Sequence, residues 1–294
     1  MSYLKDKSDS LQTAAKTIPA SAWFFMSWLV LMTLIPFFII VGMSFLERTE
    51  FGNIRFHFNF DNYLVTFNVV YLKVLLKTLW LALIATASCL VVGFPVAYYL
   101  AKQAGPMKQM GLILLFIPFW TNFILRIYGI VSLLGNNGLL NQMLLHYQIV
   151  DSPVRILYTR VGVYIGLIYN YLPFLVVPVY SALEKLDPTL REASFDLGAG
   201  RIQTFFKVVI PNIKEGVFVG SLFVFIPMLG EYVIPDLLGG AKEAFLGKVM
   251  VDQFFTMQNW PLGSAMATLL SVIMLFALIL QNRWKKNSGE AHAA

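Results

Sequence analysis

Six apolar runs, each long enough to cross a bilayer, leave few folds open to this chain. They occupy residues 22–46, 78–101, 109–134, 161–183, 216–238 and 261–282. A helix needs about 20 apolar residues to cross the hydrocarbon core. Inside that core each backbone N–H and C=O must be satisfied, which a helix does within its own segment. The pattern therefore predicts an all-α membrane protein with six transmembrane helices. Composition agrees: 58% of the 294 residues are hydrophobic and 13% are charged, against about 45–50% and 25% in soluble domains. The first run is longer than the ~7–15-residue core of a signal peptide and has no small-x-small cleavage site, so it is expected to be retained.

Loop charge orients the spans. With six crossings both termini share a side. That side carries three basic residues in 1–21, two in 102–108, five in 185–214 and three in 283–286, thirteen together. The opposite side carries seven: Arg48, Arg55, Lys73, Arg155, Arg160, Lys242 and Lys248. The positive-inside rule places the termini and the 184–215 loop in the cytoplasm, and the loops 47–73, 135–160 and 239–260 outside. The formal charge of +6 is spread over loops rather than gathered on one face, so no nucleic-acid partner is expected. No tandem repeat of the kind that builds solenoids, and no soluble domain, is visible.

Charges inside the spans are few: Arg126 in the third, Glu231 and Asp236 in the fifth. An ionised side chain at mid-bilayer costs at least about 2.5–3.5 kcal/mol, so each should face a cavity or a partner. Pro227 and Pro235 bracket Glu231. Bent or unwound backbone beside an intramembrane acid is typical of a pathway. The residues leave two roles open for Glu231: lining that pathway, or pairing with Arg126 for assembly.

The segment 187–211 is the polar exception between two apolar runs. Asp187 is a good N-cap, and Pro188 suits the first helical position. Glu192 sits near the positive end of the helix dipole. Gly198 can end the helix in a left-handed conformation. Leu190, Ala193, Ser194 and Leu197 share one face. A second helix is expected over 202–209, with Pro211 restarting the chain.

Enzymatic chemistry finds no constellation. His57, His146 and His292 lie far apart and outside the spans, and there is no H-E-x-x-H or G-x-S-x-G. The single cysteine, Cys89, excludes an intrachain disulfide and a cysteine-based metal site. Gly240 and Gly247-Lys248 are too widely spaced for a phosphate loop, and Val249 stands where Ser or Thr is needed. The chain is expected to be no enzyme and to hold no cofactor or metal.

Glu192-Ala193-Ser194, Gly198, and Val208-x-Ile210-Pro211 resemble the EAA loop of ABC-importer permeases. That pattern is Glu-Ala-Ala, Gly, and Ile-x-Leu-Pro at the same spacing; Ser194, Val208 and Ile210 are conservative departures. Further segments resemble the permeases of spermidine/putrescine importers, the putrescine-type subunit most closely. They are Phe60-Asp61-Asn62-Tyr63, Pro118 to Asn122 with Arg126 to Gly129, Gly135 to Asn141, Gly230 to Gly240, and Asn259 to Ala265. The resemblance implies a MetI-like type I importer fold, with 22–46 as first helix and 71–283 as the transmembrane core. The segments 1–21 and 284–294 would be cytoplasmic. It also implies ATPase subunits that bind ATP and Mg, a second and non-identical permease, an external or periplasmic polyamine-binding protein, and residence in the cytoplasmic (inner) membrane. Glu192, Ala193, Gly198 and Pro211 would couple the chain to the ATPase.

A polyamine is a flexible chain of ammonium groups, which carboxylates and aromatic faces can hold weakly enough for release. Glu231 and Asp236, with Tyr232, Trp260, Trp120 and Tyr128, are the candidate pathway residues; an interfacial aromatic belt is the other role open to the four aromatics. The residues also leave open a permease for ferric ion, an oxyanion or an organophosphonate, and an autonomous secondary transporter.

Overall fold

The computed structural model describes residues 20–49, 53–240 and 243–290, with side chains for 22–49, 53–240 and 243–279. Most of the expected segment 1–21, Lys242 and the last four residues lie outside the described residues.

Among the described residues six helical stretches are long and apolar enough to cross a membrane, and their limits depart from the sequence expectation in instructive ways. Helix α1 (Ala20–Met43) is straightforward: its large apolar side chains are exposed, and it packs on the last helix. After it comes a two-residue hairpin, β1 (Glu47–Arg48) with β2 (Ile54–Arg55), antiparallel with Glu47 opposite Arg55. Helix α2 (Asp61–Thr66) follows. Its Asn62 amide donates to the Ser44 and Leu46 carbonyls at 3.0 and 2.8 Å, and so satisfies the end of α1.

Helix α3 (Val69–Lys102) is longer than the expected 78–101 run, because the Asn68 side chain caps it at the Val70 N–H. One face of α3 carries Ala82, Ala85, Cys89, Gly93 and Ala97, all buried. Small side chains at this spacing let neighbouring backbones approach closely, as membrane helices require. Helix α7 (Arg160–Glu184) lies in that stripe, and a Cβ at Gly93 would sit 2.9 Å from Leu175. Helix α10 (Ile210–Gly230) completes the core against α7 through Gly216 and Gly220, where a Cβ on Gly220 would meet the Leu175 carbonyl at 3.1 Å.

The expected third span is not one helix. It divides into α4 (Gly105–Phe116), a 3-10 turn (Ile117–Trp120) and α5 (Phe123–Leu134). Pro118 lacks the N–H that would continue α4, and Asn122 restarts the chain by accepting from the Ile124 N–H at 2.8 Å. Each half has 12 residues, about 18 Å, and the stretch long and apolar enough to cross a membrane is Phe123–His146, shifted from the expected 109–134. Past α5, Asn141 of α6 (Leu139–His146) is fully buried. It ties Gly135 to Val154 with three hydrogen bonds of 2.8 to 3.1 Å, which fixes the following loop.

Two further expectations are corrected. Pro211 does not restart the chain: α9 (Arg201–Thr204) passes through a wide π turn (Phe205–Val209) straight into α10. The wide turn moves the carbonyl with which the proline ring would clash. The segment 239–260 is not a free outer loop either. Helix α12 (Leu246–Val251) folds back into the core, with Phe245 and Leu246 buried, and a π turn (Asp252–Thr256) leads to α13 (Trp260–Glu290). Helix α13 runs past the expected limit at 282 into the segment taken as a tail.

Candidate functional site

The two intramembrane charges of opposite sign flank α7 without meeting. Arg126 donates to the Asn170 side chain at 3.0 Å and to the Pro118 carbonyl at 3.3 Å, and stacks on Phe119 at 4.2 Å. Glu231 accepts from the Tyr171 hydroxyl at 2.8 Å. Asn170 and Tyr171 are consecutive on a helix and so point about 100° apart, which sends each ion to a different side. Among the described residues no Arg126–Glu231 salt bridge forms, and that possible pair is corrected. Counting along α7 at 1.5 Å per residue, Asn170 lies about 15 Å from Arg160 and about 21 Å from Glu184, hence near mid-membrane. Arg126 borders a cavity of about 650 Å³ lined also by Pro118, Thr121, Gly129, Ile165 and Tyr169.

The fifth span breaks at Glu231, between the prolines that bracket it. Helix α10 ends at Gly230, and α11 (Val233–Gly239) begins after Tyr232. The Glu231 carboxylate accepts from the Val233 and Ile234 N–H groups at 3.0 and 3.4 Å, so the acid that faces the break also caps the next helix. Gly247 rests on this break, because a Cβ there would lie 2.5 Å from both the Gly230 and the Glu231 carbonyl oxygens. The neighbouring Leu246 N–H donates to Thr78 of α3 at 2.9 Å. Glu243 ties the same segment to Lys77 of α3 and, at 3.0 Å, to Arg160 of α7.

Asp236 is half exposed and bound to Lys248 of α12 at 2.6 Å. Sequence reasoning placed Lys248 in an outer loop and had no signal for this pair. Tyr232, one turn before Asp236, is exposed on the same side of α11. Trp120 and Tyr128 are exposed near the α4–α5 break, and Trp260 packs edge-on against Phe254 at 5.6 Å. The six candidate pathway residues thus fall into groups: Glu231, Tyr232 and Asp236 at one break, Trp120 and Tyr128 at the other, and Trp260 at the head of α13.

The first part of the 184–215 loop, residues 187–198, folds as its sequence predicts. Asp187 accepts from the Thr189 N–H at 2.9 Å and caps α8 (Pro188–Asp196). That backbone bond holds the Asp187 carboxyl below its ordinary pKa. Gly198 has φ +81, and the Ala199 N–H reaches back to the Ser194 carbonyl at 3.0 Å, which closes the helix end. The Ser194 and Thr204 hydroxyls lie 2.9 Å apart and set the angle between α8 and α9. Leu190, Ala193, Ser194, Leu197 and Gly198 line one wall of an open groove of about 590 Å³; Lys207, Val208 and Asn212 line the other. Glu192 and Pro211 are exposed. Leu197, Ile202 and Phe206 present bare apolar surface on the same loop.

This arrangement is an established fold. A crystal structure of a bacterial ABC transporter involved in import of the acidic polysaccharide alginate superposes with a TM-score of 0.66 at 18% identity, covering 96% of this chain and 99% of that one. The molecule has the transmembrane fold seen in that ABC transporter. No family model matches the chain. It is 43% identical over 253 residues to the spermidine/putrescine transport system permease protein PotB of Escherichia coli, covering 86% of this chain and 92% of that protein. PotB of Haemophilus influenzae is 41% identical over 260 residues, 88% of this chain and 91% of that protein. The chain belongs to this family of ABC permease subunits, and the autonomous-transporter alternative is set aside.

Proposed function

We propose that the chain is the permease subunit of an ATP-driven importer that carries polyamines, putrescine or spermidine, across the cytoplasmic membrane. The observation that carries this reading is its identity of 43% to the spermidine/putrescine permeases over nearly the whole of both chains. Three further features fit it. The capped helix α8 and its apolar flank form a docking element for a separate ATPase, which would bind ATP and Mg; Glu192, Ala193, Gly198 and Pro211 belong to that element. The termini and the docking element lie in the cytoplasm by the basic-residue count. Glu231, Tyr232 and Asp236 place two carboxylates and an aromatic face at a helix break, the chemistry an ammonium chain needs.

The mechanism follows from rigid parts. Closure of the ATPase dimer would push α8, and the continuous rod α9–α10 would carry that movement to the Glu231 break. A second permease chain completes the pathway, and an external binding protein delivers the solute. Trp120, Tyr128 and Trp260 are outer pathway residues in this reading.

One observation favours a second reading, an anionic solute: Arg126 is a mid-membrane cation beside a large cavity. Two of its guanidinium nitrogens are held by Asn170 and Pro118 and its face by Phe119, which makes it a brace for the α4–α5 break, while its buried Nε has no hydrogen-bond partner among the described residues. Uptake into proteoliposomes holding the complete complex and its binding protein tests the choice. Labelled putrescine should accumulate with ATP and be displaced by spermidine but not by sulfate, phosphonate or ferric ion. Displacement only by an anion or by iron would overturn the cargo assignment.

A further inference from the structure

We propose that Lys248 acts as an internal competitor for the cargo: its ammonium occupies the Asp236 carboxylate between transport events, and a terminal ammonium of the polyamine replaces it during passage. This rests on the polyamine reading above. A lysine side chain is four methylenes ending in a primary ammonium, which is also the terminal unit of putrescine. The ligand that the pathway is proposed to bind is therefore already present in the structure, tethered, at 2.6 Å from Asp236.

Asp236 differs from Glu231 and Glu243 in how its carboxylate is held. The Glu231 carboxylate is engaged by the Tyr171 hydroxyl and two backbone N–H groups. Glu243 is 13% exposed and lies between Lys77 and Arg160, so a third cation has little access. The Asp236 side chain is 53% exposed, and among the described residues its ion-pair partner is Lys248. Tyr232, one turn away, offers an aromatic face to an arriving ammonium.

The exchange needs no backbone movement. Gly247, immediately before Lys248, is lodged against the Gly230 and Glu231 carbonyls, and Leu246 is tied to Thr78. The lysine backbone is thus fixed, and only its flexible stem has to swing away. Replacing one ammonium by another keeps the carboxylate neutralised at each stage, which avoids a bare charge within the membrane. Asp252 lies four residues after Lys248 on the same helical stretch and is within reach of the released ammonium.

The test is direct binding of putrescine to the complete complex in nanodiscs without binding protein, at fixed low salt. Lys248→Met keeps the stem and removes the charge. It should bind putrescine about two- to fivefold more tightly than the parent, the advantage expected when a partly exposed lysine–carboxylate competitor is removed. Adding Asp236→Asn to it should abolish the gain. Unchanged or weaker binding by an intact Lys248→Met complex would overturn the proposal, as would undetectable binding to every variant of a complex that imports putrescine. Should Lys248→Met fail to assemble, Lys248→Gln, which can still donate to Asp236, is measured in its place. Failure of both to assemble would make the pair structural and overturn the proposal. Loss of putrescine and spermidine import by the parent complex, with import of another solute, would instead overturn the cargo reading and the proposal together.

Discussion

Gly247→Ala is the sharpest perturbation available to this fold, because its effect is set by backbone atoms that cannot rotate away. The added methyl would lie 2.5 Å from two carbonyl oxygens, whereas real Cβ contacts begin near 3.0 Å, so α12 must retreat by at least about 0.5 Å. The movement stretches the 2.9 Å bond from the Leu246 N–H to Thr78 toward the limit of a hydrogen bond. Overpacking of this kind costs about 1–3 kcal/mol, and orphaning a buried N–H costs about 1–3 kcal/mol more. Alanine's better helix propensity returns only about 1 kcal/mol. The net expectation is a loss of about 3 kcal/mol in docking of α12, on the order of 100-fold in that equilibrium. Gly129→Ala is the control, since nothing lies within 4 Å of a Cβ there. Thermal unfolding of the purified complex and putrescine uptake are measured side by side. Gly247→Ala should be clearly less stable and slower; stability and uptake equal to those of Gly129→Ala would refute the argument that α12 is seated on the break.

The other expectations are more local. Gly198→Val imposes φ +81 on a β-branched residue in otherwise open space, a strain of about 1–2 kcal/mol; co-purification of the ATPase should fall roughly tenfold while membrane insertion persists, and Gly200→Ala should leave both unchanged. Cysteines placed at Asn137 and Gln203, in a Cys89→Ala background, should label with an impermeant thiol reagent in intact cells at the first position only; the reverse pattern would invert the topology. Glu231→Gln keeps an oxygen for the Val233 N–H, so assembly should hold while uptake drops. Glu231→Leu loses that cap and the Tyr171 bond and should destabilise the complex by about 1–3 kcal/mol. Normal uptake by the Gln variant would remove Glu231 from the pathway.

Several segments that carry the family resemblance contain fasteners for the backbone. Asn62 of Phe60–Tyr63 caps α1, and Asn141 of the Gly135–Asn141 segment clamps a loop. Asn259 caps the start of α13 at the Leu262 N–H, 3.3 Å away. Each is a polar side chain that satisfies backbone groups at a helix end or a loop, where a missing partner costs most.

Six apolar stretches, the capped helix at 187–198 and the break beside Glu231 were all legible in the sequence itself. The physical reason is that each is a local signal: apolar length against bilayer thickness, a carboxylate before a helix, a glycine at a left-handed turn, prolines around an acid. Which charge meets which was not local. Arg126 with Asn170, Glu231 with Tyr171 and Lys248 with Asp236 depend on how far each helix is rotated about its axis and how deeply the 243–256 segment dips into the core. Those rotations are set by the small-residue stripe of α3 and by Gly216 and Gly220 of α10, which fix helix separation to within a methyl group. The tertiary structure alone therefore decided that Arg126 and Glu231 stand apart on two sides of α7, and that Lys248, expected in a loop, lies on Asp236.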